Sequence, residues 1–457
     1  MGIGNKCAFV IGCVVIVFTT LAYGTVHQPV IALYYLMVAA MAVLWAVDGL
    51  IAGTTLIPRS PLFFPVAAAC AYGVLQVIPF GSTTAAGLDK IPRTISLDPY
   101  WTAAAVLHLF SLLLFFFVFS ALLNSAGRLR RLATLITVFG FLYAFYAILQ
   151  MVLSPTKIYG IYESRFATPF GSFVNRHNFA AYMEMVAAVP LALVFSGAIA
   201  RDKRLLYVTA ILLMLIALFL SGSRGGLVAF IVEVIVLLLF TTVQRTKRKF
   251  ALQAALVASL FVAMLAGAVF VGGDTSLTRL AETASENDVT TGRSHIWAVA
   301  IDSIKNDLPS GSGLGAFPIA YARYDTTSGL ERVEQAHNDY LQVAADMGVV
   351  GVIIGAWFLY IFVRLGISIG KIENPYRRAL GVGAVVACCG ILVHSLFDFV
   401  LHTTAISVLF FVMLAISEAS LVAYADDVSG PEIDRSFKKK RGTVSPLRSG
   451  KYRAATR

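Results

Sequence analysis

The chain has 457 residues, of which 58% are hydrophobic and 13% charged, with a mean hydropathy of +0.80. Soluble globular domains carry about 25% charged residues, so this composition excludes a soluble fold and indicates an all-α polytopic membrane protein. The formal charge of +11 does not signal a nucleic-acid partner, because the basic residues sit at the ends of apolar segments and in the tail 435–457; that pattern belongs to topology and to attraction by the lipid bilayer's anionic headgroups.

A helix needs about 20 apolar residues to cross the hydrocarbon core. Twelve segments qualify, approximately 7–24, 30–52, 62–80, 102–123, 132–153, 177–199, 205–221, 225–243, 251–271, 346–368, 379–396 and 403–424. The first resembles a signal peptide behind Lys6, but no small-residue cleavage site follows it, so it reads as an uncleaved helix. Cys7, Cys13, Cys70, Cys388 and Cys389 lie in apolar runs, as small hydrophobes rather than a disulfide framework.

The basic segments 127–131, 201–204, 244–249 and 371–378 all fall on one side of the twelve-span arrangement, together with Lys6, Arg59 and the tail. The positive-inside rule makes that side, and both termini, cytoplasmic. The opposite side receives 81–101, 154–176, 221–226 and a long, partly helical periplasmic loop, 272–345, between helices 9 and 10; residues 390–402 also reach it. The expected organisation is a transmembrane domain over residues 1–424 and a basic cytoplasmic tail over 425–457.

Four stretches on the outward side concentrate ionisable groups, which are costly next to hydrocarbon. In "FGSFVNRHNFAAYMEM" (170–185), Arg176 is a candidate sugar or phosphate contact, and an interfacial anchor explains it equally well. In "LSGSRGGLVAF" (220–230), Ser223 can cap the next helix while Gly225 and Gly226 leave its first amides uncovered. Arg224 then stands at a helix N-terminus, where an anion is already favoured; an arginine snorkelling to headgroups is the alternative.

In "DVTTGRSHIWAVAIDSIKNDLPSGSGLGAF" (288–317), Arg293, Trp297, Ile301 and Ile304 recur at helical spacing. This puts Arg293 on a buried face, facing either an anionic ligand or a salt bridge to Asp288 or Glu286. The "SGSGLG" that follows reads as a flexible turn. In "EQAHNDYLQVAADMGVVGVI" (334–353), a helix starting near Glu334 would align His337 with Leu341, with Asn338 and Gln342 beside them and Tyr340 close by. A histidine there can accept a proton from a hydroxyl near neutral pH; a polar helix cap is the bland alternative. No Asp-x-Asp pair or His/Cys cluster in the outer loops has metal-ligand spacing, so no metal is expected. Arginines that bind a diphosphate bidentately and a histidine that activates an acceptor hydroxyl would suit a transferase acting on a lipid-linked diphosphate.

Four of these segments, "GSFVNRHNFAAY" (171–182), "SGSRGGLVAF" (221–230), "TGRSHIWAVAIDSIKNDLPSGSGLGAF" (291–317) and "AHNDYLQVAADMGVVGVI" (336–353), occur in the order found in a known family. Over residues 170–355 the chain resembles the O-antigen ligase / Wzy-type polymerase superfamily of bacterial membrane glycosyltransferases. The resemblance implies an undecaprenyl-diphosphate-linked glycan donor, a glycan or glycolipid acceptor, and transfer at the periplasmic face of the inner membrane without metal, cofactor or nucleotide sugar. It assigns Arg224 and Arg293 to the diphosphate and His337 to catalysis, with Arg176, Asn338 and Tyr340 as candidate substrate contacts. Relatives often read Asn-Arg-Asn-His-Phe where this chain has Asn175-Arg176-His177-Asn178-Phe179, so no role passes to His177.

A ligase, a repeat-unit polymerase and a protein glycosyltransferase would all release the same diphosphate. A transporter of lipid-linked sugars is the rival from another class; it would favour ionisable groups at the bilayer midplane and internal repeats. Here few acidic residues lie near or within spans, Asp48, Glu184 and Glu233 among them, and no fixed repeat is visible.

Overall fold

The computed structural model describes residues 2–85, 88–164, 167–242, 293–327 and 332–422, together with Tyr424 and parts of 255–266. Four sequence expectations fall outside the described residues: the basic segment 244–249, most of the ninth span, the loop portion with Glu286 and Asp288, and the tail 425–457.

Ten described helices are long and apolar enough to cross a membrane. They are α1 (Ile3–Leu21), α2 (Gln28–Ala52), α4 (Pro99–Leu122), α5 (Ala126–Leu153), α6 (Arg176–Phe195), α7 (Arg204–Leu220), α8 (Arg224–Thr242), α11 (Asp339–Gly370), α12 (Pro375–His394) and α13 (Thr404–Leu421). α3 (Phe63–Val77) is apolar but has only 15 residues, shorter than the expected span. Two helices, α9 (Arg293–Asn306) and α10 (Phe317–Tyr324), belong to the long segment before α11. Two short β-hairpins, Ser82–Ala85 with Leu88–Pro92 and Lys157–Ile158 with Tyr162–Glu163, decorate loops.

Starts are written locally. Asp98, Ser125, Asn175, Asn338 and Asn374 each accept a hydrogen bond from a first-turn amide of the helix that follows, satisfying donors a helix leaves unpaired. Prolines at the first positions of α2, α4 and α12 add preset backbone geometry.

The packing has a clear centre. α6 is buried along its whole apolar window, and α13 along nearly all of it. α6 contacts α5, α7, α8, α12 and α13. Lipid tails are as apolar as leucine, so close packing rather than water exclusion holds such helices together. The α6–α12 contact illustrates this: a methyl group added at Gly383 would sit 3.0 Å from Val189 Cα and Ala192 Cβ. α2 instead exposes Leu33, Leu36, Val43 and Leu50, as a lipid-facing helix does.

Loops gather at two ends. At one, Arg128 donates to the Asn5 carbonyl, Arg130 lies over the Tyr376 ring and Tyr424 bonds the Leu123 carbonyl. The basic segments around 127–131 and 371–378 therefore meet at this end. At the other, Asn178 bonds Thr403, Thr404 bonds the Thr25 carbonyl, and the Leu97 amide bonds the Ser312 carbonyl.

Candidate active site

α11 does not begin near Glu334. Asn338 Oδ1 accepts from the Tyr340 and Leu341 amides, both at 3.0 Å, so the helix starts at Asp339. His337 lies just before it with φ 51°, a left-handed conformation uncommon for a residue with a side chain. The cap forces the turn, and Gln342 helps it by accepting from the Ala336 amide at 2.7 Å. Instead of running along a helix face with Leu341, the His337 side chain is turned toward the segment after α12.

There it meets a residue that the motifs did not single out. His337 Nδ1 lies 3.2 Å from Asp398 Oδ1, and its ring packs edge-on against Phe399 with centroids 4.8 Å apart. Arg293 Nη2 lies 3.1 Å from Asp398 Oδ2, and its Nη1 donates to the Phe397 carbonyl. Asp398 is itself fixed by the Phe399 amide at 2.9 Å. Only 2% of the Asp398 side chain is exposed. Burial pushes its carboxyl pKa up, but the His337 hydrogen bond and the charges of Arg293 and His177 outweigh this and hold it well below the usual carboxylate range. Nδ1–H donation to that carboxylate sets the His337 tautomer that leaves the Nε2 lone pair to take a proton.

Arg293 is the first residue of α9. The buried ridge of that helix is Val299, Ala300 and Ser303, packed toward α11, and Ile301 is 41% exposed. The expected stripe of Arg293, Trp297, Ile301 and Ile304 is therefore not the buried face. Arg293 finds an acid, as expected, but its partner is Asp398.

The second arginine stretch reaches the same place. Ser223 Oγ accepts from the Gly226 amide at 3.2 Å, capping α8 as expected, and pairs with His177 Nδ1 at 3.0 Å. Arg224 follows directly as the first residue of α8. The two glycines after it serve packing. A Cβ on Gly225 would lie 3.0 Å from the His394 ring and 3.4 Å from Phe397 Cβ; one on Gly226 would lie 2.8 Å from Ala180 Cβ. Arg176 opens α6, with its Nη1 3.5 Å from where a Cβ on Gly222 would stand. His177 lies within electrostatic reach of Asp398, Arg176 and Arg293. Beneath this layer His394 Nδ1 bonds Glu184 at 3.1 Å, and the fully buried Glu233 carboxylate has no hydrogen-bond partner among the described residues.

Asn338 and Tyr340, candidate substrate contacts, have their polar atoms turned to backbone. Asn338 Nδ2 donates to the Leu396 carbonyl at 3.0 Å and the Tyr340 hydroxyl to the Leu392 carbonyl at 2.7 Å. Asp339 extends the join: it accepts from Ser395 Oγ at 2.7 Å and pairs with His402 Nδ1 at 2.9 Å. The turn before α11 is thus stitched to residues 392–402. Burial opposes a charge on His402, but Asp339 and Asp346 outweigh it and raise its pKa.

Residues 309–315 are pinned rather than a free turn. The Ser312 and Gly313 amides donate to the Ala345 and Asp346 carbonyls at 2.9 Å, and the Gly315 amide to Asp346 Oδ2 at 2.9 Å. They fill the break that Gly348 makes in α11, with φ 58° and ψ −145°. Among the described residues no group of three or more His, Cys, Asp or Glu is arranged to hold a metal ion.

A buried carboxylate thus holds a histidine on one oxygen and an arginine on the other, with a second arginine stretch packed against the same turn. Such a set can accept a hydroxyl proton and, through the remaining guanidinium donors, hold a phosphate. Residues 209–356 match the family model described as O-antigen ligase. The match includes Arg224, Arg293, His337, Asn338 and Tyr340; Asp398 lies beyond it. No curated protein matches the chain. A region similar to the O-antigen ligase family model thus lies within an all-α multi-pass membrane protein, and the match supports an activity of the general ligase or polymerase type.

Proposed function

We propose, from this family match, that the chain transfers a glycan from an undecaprenyl-diphosphate-linked donor to a hydroxyl acceptor at the periplasmic face of the bacterial inner membrane, as an O-antigen ligase does. The observation that carries this reading is Asp398 bridging His337 and Arg293 at 3.2 and 3.1 Å. The bundle end bearing that site would be periplasmic, and the end bearing the basic segments 127–131 and 371–378 cytoplasmic. Residues 1–424 would form the catalytic membrane domain.

In this mechanism Arg224 and Arg293 hold the donor diphosphate, with Arg176 at the same turn as a further positive charge. His337 Nε2 takes the proton of the acceptor hydroxyl as its oxygen bonds the anomeric carbon of the donor glycan. The bond from that carbon to the diphosphate oxygen breaks, and undecaprenyl diphosphate leaves with its charge on the arginines. Asp398 faces the imidazolium that forms. Asn338 and Tyr340 hold the His337 turn in place.

The test uses purified full-length protein in liposomes with a synthetic undecaprenyl-diphosphate oligosaccharide, offering lipid A–core and the lipid-linked repeat as separate acceptors. Diphosphate release should fall about 10²–10⁴-fold in His337→Ala, while donor binding survives. The acceptor that grows distinguishes a ligase from a Wzy-type polymerase. No release by the wild type with either acceptor, together with movement of labelled lipid across the bilayer, would replace the transferase by a transporter.

A further inference from the structure

Next to the His337 ring, on the same end of the bundle, lies a cavity of about 500 Å³. Volumes of about 300–1,000 Å³ are usual for small-molecule sites. Its walls come from α2, the start of α4, Asn178 at the start of α6, the start of α10, the stretch before His337 with Gln342 of α11, and residues 399–404. Phe399 joins it to the site, since this ring packs on His337 and also lines the cavity.

The chemistry of the lining differs from that of the arginine side. Arg176, Arg224 and Arg293 are not among its lining residues. Its one arginine, Arg332, is paired with Glu334 at 2.8 Å, and Asp98 is also present. His402 also lines the cavity but is paired with Asp339 at 2.9 Å, so a diphosphate would gain little here and would face carboxylates. Two wall residues carry buried side-chain oxygens with no hydrogen-bond partner among the described residues, Asn178 Oδ1 and Gln335 Oε1. Asn178 is held by donating to Thr403 Oγ1 at 2.7 Å, which leaves that oxygen as an acceptor only. Buried acceptors of this kind call for hydroxyl donors. Trp101, 40% exposed at the start of α4, supplies an aromatic face in the same wall. A neutral molecule with many hydroxyls and apolar C–H faces is a saccharide.

We infer that this cavity binds the terminal sugar of the acceptor glycan, and that it does so as a neutral saccharide. The inference rests on the transferase reading above and deepens it. The donor enters from the arginine side and the acceptor from the opposite side of Phe399. Asn178 and Gln335 accept from hydroxyls of the bound sugar, Trp101 stacks on its ring, and the hydroxyl left toward Phe399 gives its proton to His337 Nε2. That oxygen then bonds the donor's anomeric carbon, and the diphosphate departs on the other side.

The experiment compares wild type, Trp101→Ala, Trp101→Phe and Gln335→Ala in liposomes, titrating acceptor and donor separately. Each variant's thermal unfolding is recorded to confirm the fold. Trp101→Ala and Gln335→Ala should raise the acceptor KM at least tenfold and leave the donor KM within about twofold, with Trp101→Phe recovering most of the loss. In parallel, delipidated core oligosaccharide and delipidated repeat unit are titrated against the protein by saturation-transfer NMR, which needs no turnover. Saccharide signals that weaken in the two alanine variants support the cavity even where wild type releases no diphosphate, an outcome that would refute only the transferase. Unchanged acceptor KM and unchanged saccharide signals in folded variants would overturn the inference. A donor KM that rises instead would also overturn it, by giving the cavity to the donor.

Discussion

Replacing Asp398 by Asn keeps the side-chain shape and removes its charge. The carboxylate lies 3.2 Å from His337 Nδ1 and 3.1 Å from Arg293 Nη2, with 2% of the side chain exposed. At an effective dielectric of about 20, unit charges about 3.2 Å apart attract by roughly 5 kcal/mol. The His337 side chain is 29% exposed, so water screens part of this. Retaining about half leaves roughly 2–3 kcal/mol that the state with a protonated His337 would lose. At about 1.4 kcal/mol per decade, turnover should fall on the order of 10²-fold. An asparagine that presents its NH₂ to Nδ1 would also favour the wrong tautomer, a second loss in the same direction. The assay is single-turnover diphosphate release in liposomes, with donor affinity measured separately. Donor affinity should not weaken, because Arg293 loses a competing anion. Turnover within about threefold of wild type in a folded Asp398→Asn protein would refute the electrostatic reasoning and reduce Asp398 to a counter-ion for Arg293.

Arg293→Lys should raise the donor KM about tenfold while keeping the fold, because a point charge replaces a bidentate fork; an unchanged donor KM would remove Arg293 from the diphosphate site. Arg293→Ala leaves the buried Asp398 carboxylate with only His337 and the Phe399 amide and should cost up to about 3–5 kcal/mol of stability, read by thermal unfolding beside Arg293→Lys. The raised pKa of His402 adds stability that is fully present below about pH 6.5 and is lost as pH rises through its folded value. The unfolding midpoint of wild type should therefore drop more between pH 6 and pH 9 than that of His402→Gln; equal drops would sink this assignment. Gly348→Ala combines a positive φ with a Cβ only 2.1 Å from the Pro309 carbonyl oxygen, so it should destabilise by more than about 3 kcal/mol. A variant melting within about a degree of wild type would contradict the packing described there.

Much of the bundle was legible because hydropathy over about 20 residues is a strong signal, and α3 departed from it by being short. The Ser223 cap and the order of the four stretches were legible for a local reason: each depends on neighbours in sequence. Asp398 was not, since it is a single acid in an apolar segment, 105 residues from Arg293 and 61 from His337. Its clue was its cost, an acid placed beside hydrocarbon with no local partner. The face of α9 was misjudged because α11 decides which side is covered, and Val299, Ala300 and Ser303 satisfy that neighbour better than the larger Ile301. The pinned glycines 311, 313 and 315 escaped because their surroundings are set by partners remote in the chain, whereas the left-handed His337 follows from its neighbours Asn338 and Gln342 once the helix start is placed at Asp339.

The break at Gly348 carries a mechanical consequence. Bilayers differ in thickness, and a long apolar helix answers by tilting. In an unbroken α11 that tilt would swing the turn that carries His337. Here the segment Asp339–Met347 is tied through Gln76, which bonds the Asp346 carbonyl at 2.9 Å, and through the loop that bonds Ala345 and Asp346. The longer part beyond Gly348 packs on the bundle only through one side, with Phe362, Leu365 and Ile369 buried, so a tilt there meets the break before it reaches the His337 turn, like an oar moving in its rowlock while the hull stays level.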